Sequence, residues 1–403
     1  MNKKVNLRLI IASIAIGILV GLTSDLFIRL LQLCTGFLWH SILPNAAHQP
    51  LMLITITTLG GLGMGICVHY FGKNKGVGFD AVLESYKKDG EFGLKQINRV
   101  VVNSFFGVIS GASMGPEAPL ITLSGYIGEV FAKFLRVGKK EVTAFVGIAL
   151  GGSIGTLLNS PVAGPILFLE RPPTEDSESN KLLIFASMIS ASVGFAIYYL
   201  LKAPFLSNEQ LVPAGDGFKP LYLVYGFLVG IVGMIIGILM RESIKALKVL
   251  FDKYLPGSIF RGVITGVLIG IFGIIWPLSL FDGSKALSEI VTHATTYSVI
   301  ALVILCIVKI VTTSISLSGG YQGGNIFPTL FASATAGLAI HGIFNFIPAN
   351  VAVVGCMASA LYVFMPLPLF AIFLITELSS FALIPVMAMA LCSNYFLNFK
   401  KAN

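Results

Sequence analysis

Long apolar runs separated by short polar connectors dominate the sequence and constrain its fold. The longest cover residues 9–33, 51–70, 221–240 and 262–280, and a shorter run covers residues 298–308. About 20 apolar residues are enough for a helix to cross a bilayer, whereas a membrane β-barrel would show short alternating segments. Only 11% of the residues are charged, against about 25% in soluble domains. These features predict an all-α polytopic membrane protein.

The basic residues lie in short clusters between the apolar runs. Although the net charge is +8, this distribution is typical of the excess of Lys and Arg in cytoplasmic loops. It places the N-terminus, segment 73–99 and the C-terminus in the cytoplasm. Segment 40–50 contains neither Lys nor Arg and is expected outside. We therefore expect a multi-pass protein of the cell membrane that contacts lipid and binds no nucleic acid, with an uncleaved N-terminal helix.

Residues typical of metal sites and hydrolytic enzymes are scattered. The five cysteines lie apart in apolar sequence without a CxxC pair, and the five histidines form no HExxH motif. Metal-dependent chemistry therefore has no support. The acidic segment 170–180 is expected to be a solvated loop. We expect no metal, no cofactor and no enzymatic activity.

An internal repeat organises the chain. "GPEAP" at 115–119 and "GNIFP" at 324–328 share the pattern G-x-x-x-P, and "PVAGPILFLE" at 161–170 and "PLFAIFLITE" at 368–377 both place Glu nine residues after Pro. The second segment follows the first by 42 residues, from proline to proline, in one half and by 40 in the other. A cation precedes each glycine–proline motif, Arg99 in one half and Lys309 in the other.

This duplication predicts repeats at about 1–205 and 206–403, which together form one transmembrane domain. Several apolar runs are too short or too interrupted by Gly and Pro to cross alone, and such half-helices are tolerated only inside protein or beside a cavity. Transporters commonly combine inverted repeats with broken helices at the midplane. We expect that arrangement, with broken, tilted helices whose N-termini meet at a mid-membrane site.

The glycine–proline motifs predict an anion site. Proline is favoured at the first turn of a helix, so Pro119 and Pro328 mark helix starts. A helix N-terminus carries roughly half a positive charge and several unpaired N–H donors. Two such ends can hold one partly dehydrated anion without trapping it.

Glu117 lies within the first motif, and the matching position in the second motif is Ile326. Ionisable groups inside membranes are usually functional. We expect the carboxylate to occupy the place of the anion and to act as a gate when it swings away or is protonated. The alternative is a structural carboxylate that caps its own helix.

The three motifs resemble those of the CLC chloride channel and transporter family over about residues 5–398. "GPEAP" resembles the family's glycine-arginine-glutamate-glycine-proline motif, "GGNIFP" its glycine-x-phenylalanine-x-proline motif, and "GVGF" at 76–79 its glycine-serine-glycine-isoleucine-proline motif. The resemblance implies a short bacterial-type member without regulatory domains, a homodimer with one pathway per subunit, and Glu117 as the outer gate. The anion-binding residues it implies are Gly115, Pro116, Glu117, Ala118, Asn325, Ile326, Phe327, Gly76, Val77 and Gly78.

Departures from the family's pattern bear on proton coupling and selectivity. Val77 stands at the serine position, Pro116 replaces the arginine, and Phe327 is one place later than usual. Arg171 stands where proton-coupled members carry their inner glutamate, which leaves Glu170 as a possible proton relay or a structural carboxylate. The chain also ends too early to supply the family's anion-coordinating tyrosine, and nothing in the sequence places Tyr395 in the pathway.

We therefore expect transport of chloride or a similar small anion, passive or weakly coupled to protons. A tightly coupled chloride/proton antiporter is the alternative on the same scaffold. An intramembrane enzyme would need paired catalytic groups, and only Glu117 is well placed. A cation transporter would need acidic or carbonyl-rich sites, whereas these motifs present N–H groups.

Overall fold

A computed structural model describes residues 3–43, 49–72, 82, 94–158, 160–172, 177–203, 211–215 and 217–398. Helices dominate these residues. In the first half they are α1 (Lys3–Gly36, continued by the π-helical Phe37–Ile42), α2 (Pro50–Phe71), α3 (Leu94–Ile109), α4 (Glu117–Phe134), α5 (Lys139–Leu157), α6 (Ala163–Glu170) and α7 (Ser177–Leu200). In the second half they are α8 (Tyr222–Tyr254), α9 (Ser258–Ile275), α10 (Ser284–Thr292), α11 (Val299–Gly319), α12 (Ile326–Ile343), α13 (Ala349–Phe364), α14 (Pro368–Glu377) and α15 (Ile384–Asn398).

Seven helices of the described chain are long and apolar enough to cross a membrane. This confirms the predicted all-α polytopic fold class. The short apolar run predicted at 298–308 proved too short, because α11 continues for 21 residues to Gly319. The predicted run ended just before Lys309 because lysine is charged. The Lys309 side chain is completely buried, and its Nζ donates to backbone carbonyls, so the helix continues beyond this residue.

Helix packing follows the same scheme in both halves. Helix α1 packs against α5 and α7, as α8 packs against α13 and α15. Helices α4 and α5 pair as α12 and α13 do. Two further pairs join the halves, α2 with α9 and α6 with α14. This pairing agrees with the expected inverted repeats, although the boundary near residue 205 falls among undescribed residues and stays a prediction.

Close backbone approach joins α2 to α9. A Cβ on Gly61 would lie 2.1 Å from the carbonyl oxygen of Gly262, and a Cβ on Gly262 would lie 2.1 Å from that of Gly61. Small residues allow membrane helices to approach this closely. The crossing therefore holds the two halves in contact.

Candidate anion site

A single pair of glycines joins the two glycine–proline motifs. The N–H of Gly115 donates to the carbonyl of Gly324 at 2.9 Å, and the N–H of Gly324 donates back to the carbonyl of Gly115 at 2.9 Å. This antiparallel bridge is the isolated β-pairing of the described chain. Because α4 begins two residues after Gly115 and α12 two residues after Gly324, the bridge brings both helix N-termini together.

The two helices begin in the same register. Pro116 and Asn325 are the N-cap residues, and Glu117 and Ile326 are the first helical residues. Pro119 and Pro328 are each the third residue of their helix, so both lie in the first turn, as predicted. Proline is tolerated at the third position too, because the first N–H groups of a helix have no intrahelical acceptor.

Helix geometry directs four backbone donors towards the bridge. The first intrahelical bonds run from Leu120 to Pro116 and from Thr329 to Asn325. The N–H groups of the preceding residues therefore lack acceptors within their own helices. These donors belong to Glu117, Ala118, Ile326 and Phe327. Such a concentration of N–H groups at two helix ends suits an anion.

The carboxylate of Glu117 lies against both bridging glycines. A Cβ on Gly115 would lie 2.0 Å from Oε2 of Glu117, and a Cβ on Gly324 would lie 1.9 Å from the same atom. The side chain is only 2% exposed, and neither carboxylate oxygen has a hydrogen-bond partner among the described residues. The N–H groups of Glu117 itself and of Phe327 interact with it. The carboxylate thus occupies the space in front of both helix ends.

Each motif loop is held by the helix that precedes the other motif. In the first loop, the N–H of Ser113 donates to Oγ of Ser316 at 3.0 Å, and Oγ of Ser113 lies 2.8 Å from Oγ1 of Thr313. These bonds connect the first motif to α11 of the second half.

The second loop is held in the corresponding way by α3. The amide of Asn103 donates to the carbonyl of Gly320 at 3.0 Å and accepts from the N–H of Gln322 at 2.8 Å. Ser104 donates to the carbonyl of Gln322. The sequence analysis missed these residues. A signal existed, since Ser104 and Thr313 stand 209 positions apart, as do Glu117 and Ile326.

The predicted anion-site residues of the two later motifs come together. Gly115, Pro116, Glu117, Ala118 and Phe327 are buried, and Asn325 and Ile326 are partly buried. Gly76, Val77 and Gly78 of the first motif lie outside the described residues, so their predicted role stays a prediction.

Glu170 and Glu377 end the short helices α6 and α14, as predicted, and lie at opposite ends of this pair. Oε1 and Oε2 of Glu170 accept the N–H groups of Leu369 at 2.6 Å and Phe370 at 2.8 Å, at the start of α14. Oε1 of Glu377 accepts from Oγ of Ser160 at 3.3 Å, just before α6. Each glutamate therefore interacts with the beginning of the other helix.

Arg171 and Tyr395 were the other two candidates for the pathway. Arg171 is the C-cap of α6. The ring of Tyr395 is tilted against that of Tyr362 at 6.2 Å and is 57% exposed, and no contact connects it to Glu117. Within the described parts of the chain, no group of three or more His, Cys, Asp and Glu side chains could hold a metal ion.

Comparison with known proteins identifies the family. The family model described as "Voltage gated chloride channel" matches residues 60–398, well over half of the chain. The chain belongs to this family. CLC proteins are channels and transporters of anions, so membership confirms the predicted resemblance and the prediction that the protein is not an enzyme.

Curated relatives of this CLC chain have ion-transport names. One is "Putative ion-transport protein YfeO" of Shigella flexneri, 25% identical over 356 residues that cover 86% of this chain and 82% of the relative. The protein of the same name in Escherichia coli O6:H1 is 24% identical over 353 residues, with the same coverage of 86% and 82%.

Solved CLC structures share the fold over nearly the whole chain. A slow cyanobacterial Cl⁻/H⁺ antiporter superposes with a TM-score of 0.80 at 18% identity, covering 97% of this chain and 95% of that one. A CLC-type fluoride/proton antiporter superposes with a TM-score of 0.76 at 16% identity, covering 98% and 96%. At these identities the likeness establishes the fold alone.

Proposed function

We propose that this protein carries chloride across the cell membrane, passively or with weak proton coupling, and that Glu117 is the gate. One observation carries the proposal: the buried carboxylate of Glu117 lies on the glycine bridge between two helix N-termini. Its oxygens have no hydrogen-bond partner among the described residues. A carboxylate that lies at two helix N-termini can be replaced there by another anion.

The same geometry argues against cation transport. The groups directed to the site are backbone N–H donors, and the carbonyls of Gly115 and Gly324 are both engaged in the bridge. A cation site would present carbonyl or carboxylate oxygens. The carboxylate of Glu117 is the acidic group here, and its position in front of helix N-termini favours its exchange with an anion.

Weak proton coupling is supported by the contacts of Glu170. Both of its oxygens accept backbone N–H groups at the start of α14, which fixes the carboxylate at that helix end. We propose that Glu170 caps α14 instead of relaying protons. Arg171, at the neighbouring position, carries a guanidinium that cannot release its proton at ordinary pH. The second candidate function is tightly coupled exchange of chloride for protons, because two structurally similar proteins are described as anion/proton antiporters.

A chloride gradient imposed across liposomes, without a pH gradient, separates these candidates. We expect chloride efflux with little or no uphill proton movement, followed with a proton-sensitive dye. Glu170→Gln is the matched variant, because it keeps the size of the side chain and removes its charge. Strong proton pumping that this variant abolishes would make Glu170 a relay, and pumping that survives it would show another relay. Either result would contradict weak coupling.

We also propose that the protein is a homodimer with cytoplasmic termini. Short helices α6 and α14 cannot span the bilayer, since eight and ten residues reach only about 12 and 15 Å. Their exposed Leu169 and Leu369 would be covered by a second copy. Cross-linking of single cysteines placed at these two positions in membranes tests the dimer: only monomers after cross-linking would contradict it.

The orientation is tested by labelling a cysteine placed at either terminus with a reagent added to one side of the membrane at a time.

A further inference from the structure

A short segment between α9 and α10, residues 279–283, lies against the first motif loop, residues 110–116. The N–H of Phe281 donates to the carbonyl of Gly111 at 3.1 Å. The ring of Phe281 makes an edge contact with Trp39 at 4.9 Å between centroids, and Nε1 of Trp39 donates to the last carbonyl of α3 at 2.9 Å. This segment of the second half thus contacts the loop that connects α3 to α4.

Phe281 has an uncommon backbone conformation. Its φ angle is 60°, in the left-handed region that residues other than glycine rarely adopt. A residue with a Cβ is unfavourable there and persists only where the surrounding structure holds it. Strained residues of this kind cluster at binding sites and switches. The contacts that hold Phe281 therefore bear on the site that its N–H supports.

Lys309 of α11 binds the segment from its other side. Its Nζ donates to three consecutive carbonyls, those of Ser279 at 3.1 Å, Leu280 at 3.4 Å and Phe281 at 2.8 Å. An ammonium group has three N–H donors and no acceptor, so three carbonyls match its capacity. Lys309 is completely buried, and a buried charge is costly unless it is compensated. The ammonium therefore favours the chain path that directs these carbonyls at it.

The same face of α11 holds the loop at a second point. Thr313 and Ser316 follow Lys309 by four and seven positions, which places the three side chains on one side of the helix. Oγ1 of Thr313 lies 2.8 Å from Oγ of Ser113, and Oγ of Ser316 accepts the N–H of Ser113 at 3.0 Å. The loop is tied to α11 directly at Ser113 and through the segment at Gly111.

We propose that Lys309 is a positioning residue for anion binding, which holds Phe281 in its left-handed conformation so that the Phe281 N–H fixes Gly111. The inference rests on the proposed function, in which chloride binds at the N-termini of α4 and α12. Because the loop from Gly111 leads directly into α4, its release lets the N–H donors of α4 move away from those of α12. The link runs through one hydrogen bond, whose net contribution corresponds to a factor of about five in an equilibrium constant.

The chloride concentration that gives half-maximal efflux from liposomes tests the proposal. We expect Lys309→Met to raise it about fivefold, because methionine is similar in shape and cannot donate to the carbonyls. Lys245→Met is the matched control and should change nothing, since the side chain of Lys245 on α8 is 62% exposed. A lysine needed only for folding would lower the maximal rate, through fewer folded proteins, and leave the half-saturating concentration unchanged. That result would overturn the inference.

Two variants of Phe281 test the backbone conformation with the lysine in place. Asparagine and valine are similar in size and both lack the ring. Asparagine tolerates the left-handed region, whereas a β-branched residue is a clear outlier there. We therefore expect Phe281→Val to need more chloride for half-maximal efflux than Phe281→Asn. Equal values would overturn the inference, and this pair decides the question even if Lys309→Met does not fold.

The fluorescence of Trp39 reports the same contacts without transport. The sequence contains two tryptophans, so Trp276→Phe leaves Trp39 as the single reporter. In that background, Lys309→Met should shift the emission of Trp39 to longer wavelength, because the ring loses its contact with Phe281 and gains water. Unchanged emission would overturn this inference and leave the proposed function standing. A wild type without chloride flux would overturn the proposed function, and this inference with it.

Discussion

Glu117→Gln should abolish the pH dependence of anion flux, and flux at neutral pH should persist or rise. In the wild type the carboxylate lies in front of the two helix N-termini, where we propose that its ionised form excludes the anion. Acid neutralises it, so flux should rise as pH falls. A glutamine carries no charge at any pH and competes poorly with chloride for positive helix ends. The measurement is chloride efflux from liposomes at several pH values.

Glu129→Gln provides the control for this change. Glu129 is also a buried carboxylate of α4, but it is paired with Lys133 on the part of the helix away from the bridge. We expect this variant to keep the wild-type pH profile. A wild-type profile in Glu117→Gln would show that Glu117 is a structural cap and not the gate.

Gly324→Ala should reduce the rate of anion flux at least about tenfold. A tenfold weakening of anion binding corresponds to a loss of about 1.4 kcal/mol. The new methyl group would lie 1.9 Å from the position of Oε2 of Glu117. The flexible glutamate side chain can move aside, so the protein should still fold. The methyl group, however, would then fill the space that we assign to the anion. Initial rates of chloride efflux, normalised to reconstituted protein, measure the effect.

The double variant Glu117→Gln/Gly324→Ala distinguishes a filled site from a displaced gate. If the methyl group fills the anion site, the double variant stays blocked although the gate charge is gone. If the methyl group only displaces the carboxylate, Gly324→Ala should conduct like Glu117→Gln, and our location of the site would be wrong. Gly36→Ala is the control for substitution itself, because a Cβ there meets nothing within 4 Å.

The sequence predicted the features that depend on local chemistry. Apolar runs and glycine–proline motifs were sufficient to predict the helical membrane fold and two helix N-termini that meet, because both follow from backbone hydrogen bonding in a bilayer. The two prolines were correctly assigned to the first turn, but the first helical residue of each helix was not predicted. Pro119 and Pro328 suit any position of the first turn, so proline alone does not fix the register.

The contacts between the two halves could not be predicted from the sequence. The repeat spacing relates Ser104 to Thr313, but their bonds to the opposite motif loops depend on the fold. Lys309 looked like the end of an apolar run, since its compensation comes from the carbonyls of a segment 28 to 30 residues away.

Anomalous diffraction from bromide-soaked crystals tests the central claim most directly, because it locates the anion relative to Glu117. In Glu117→Gln, we predict a bromide peak in front of the Gly115–Gly324 bridge, at the N-termini of α4 and α12. In the wild type at neutral pH, the carboxylate should fill that position and the peak should be absent or weaker. A Glu117→Gln structure with bromide bound elsewhere in the protein and none at the bridge would contradict the account.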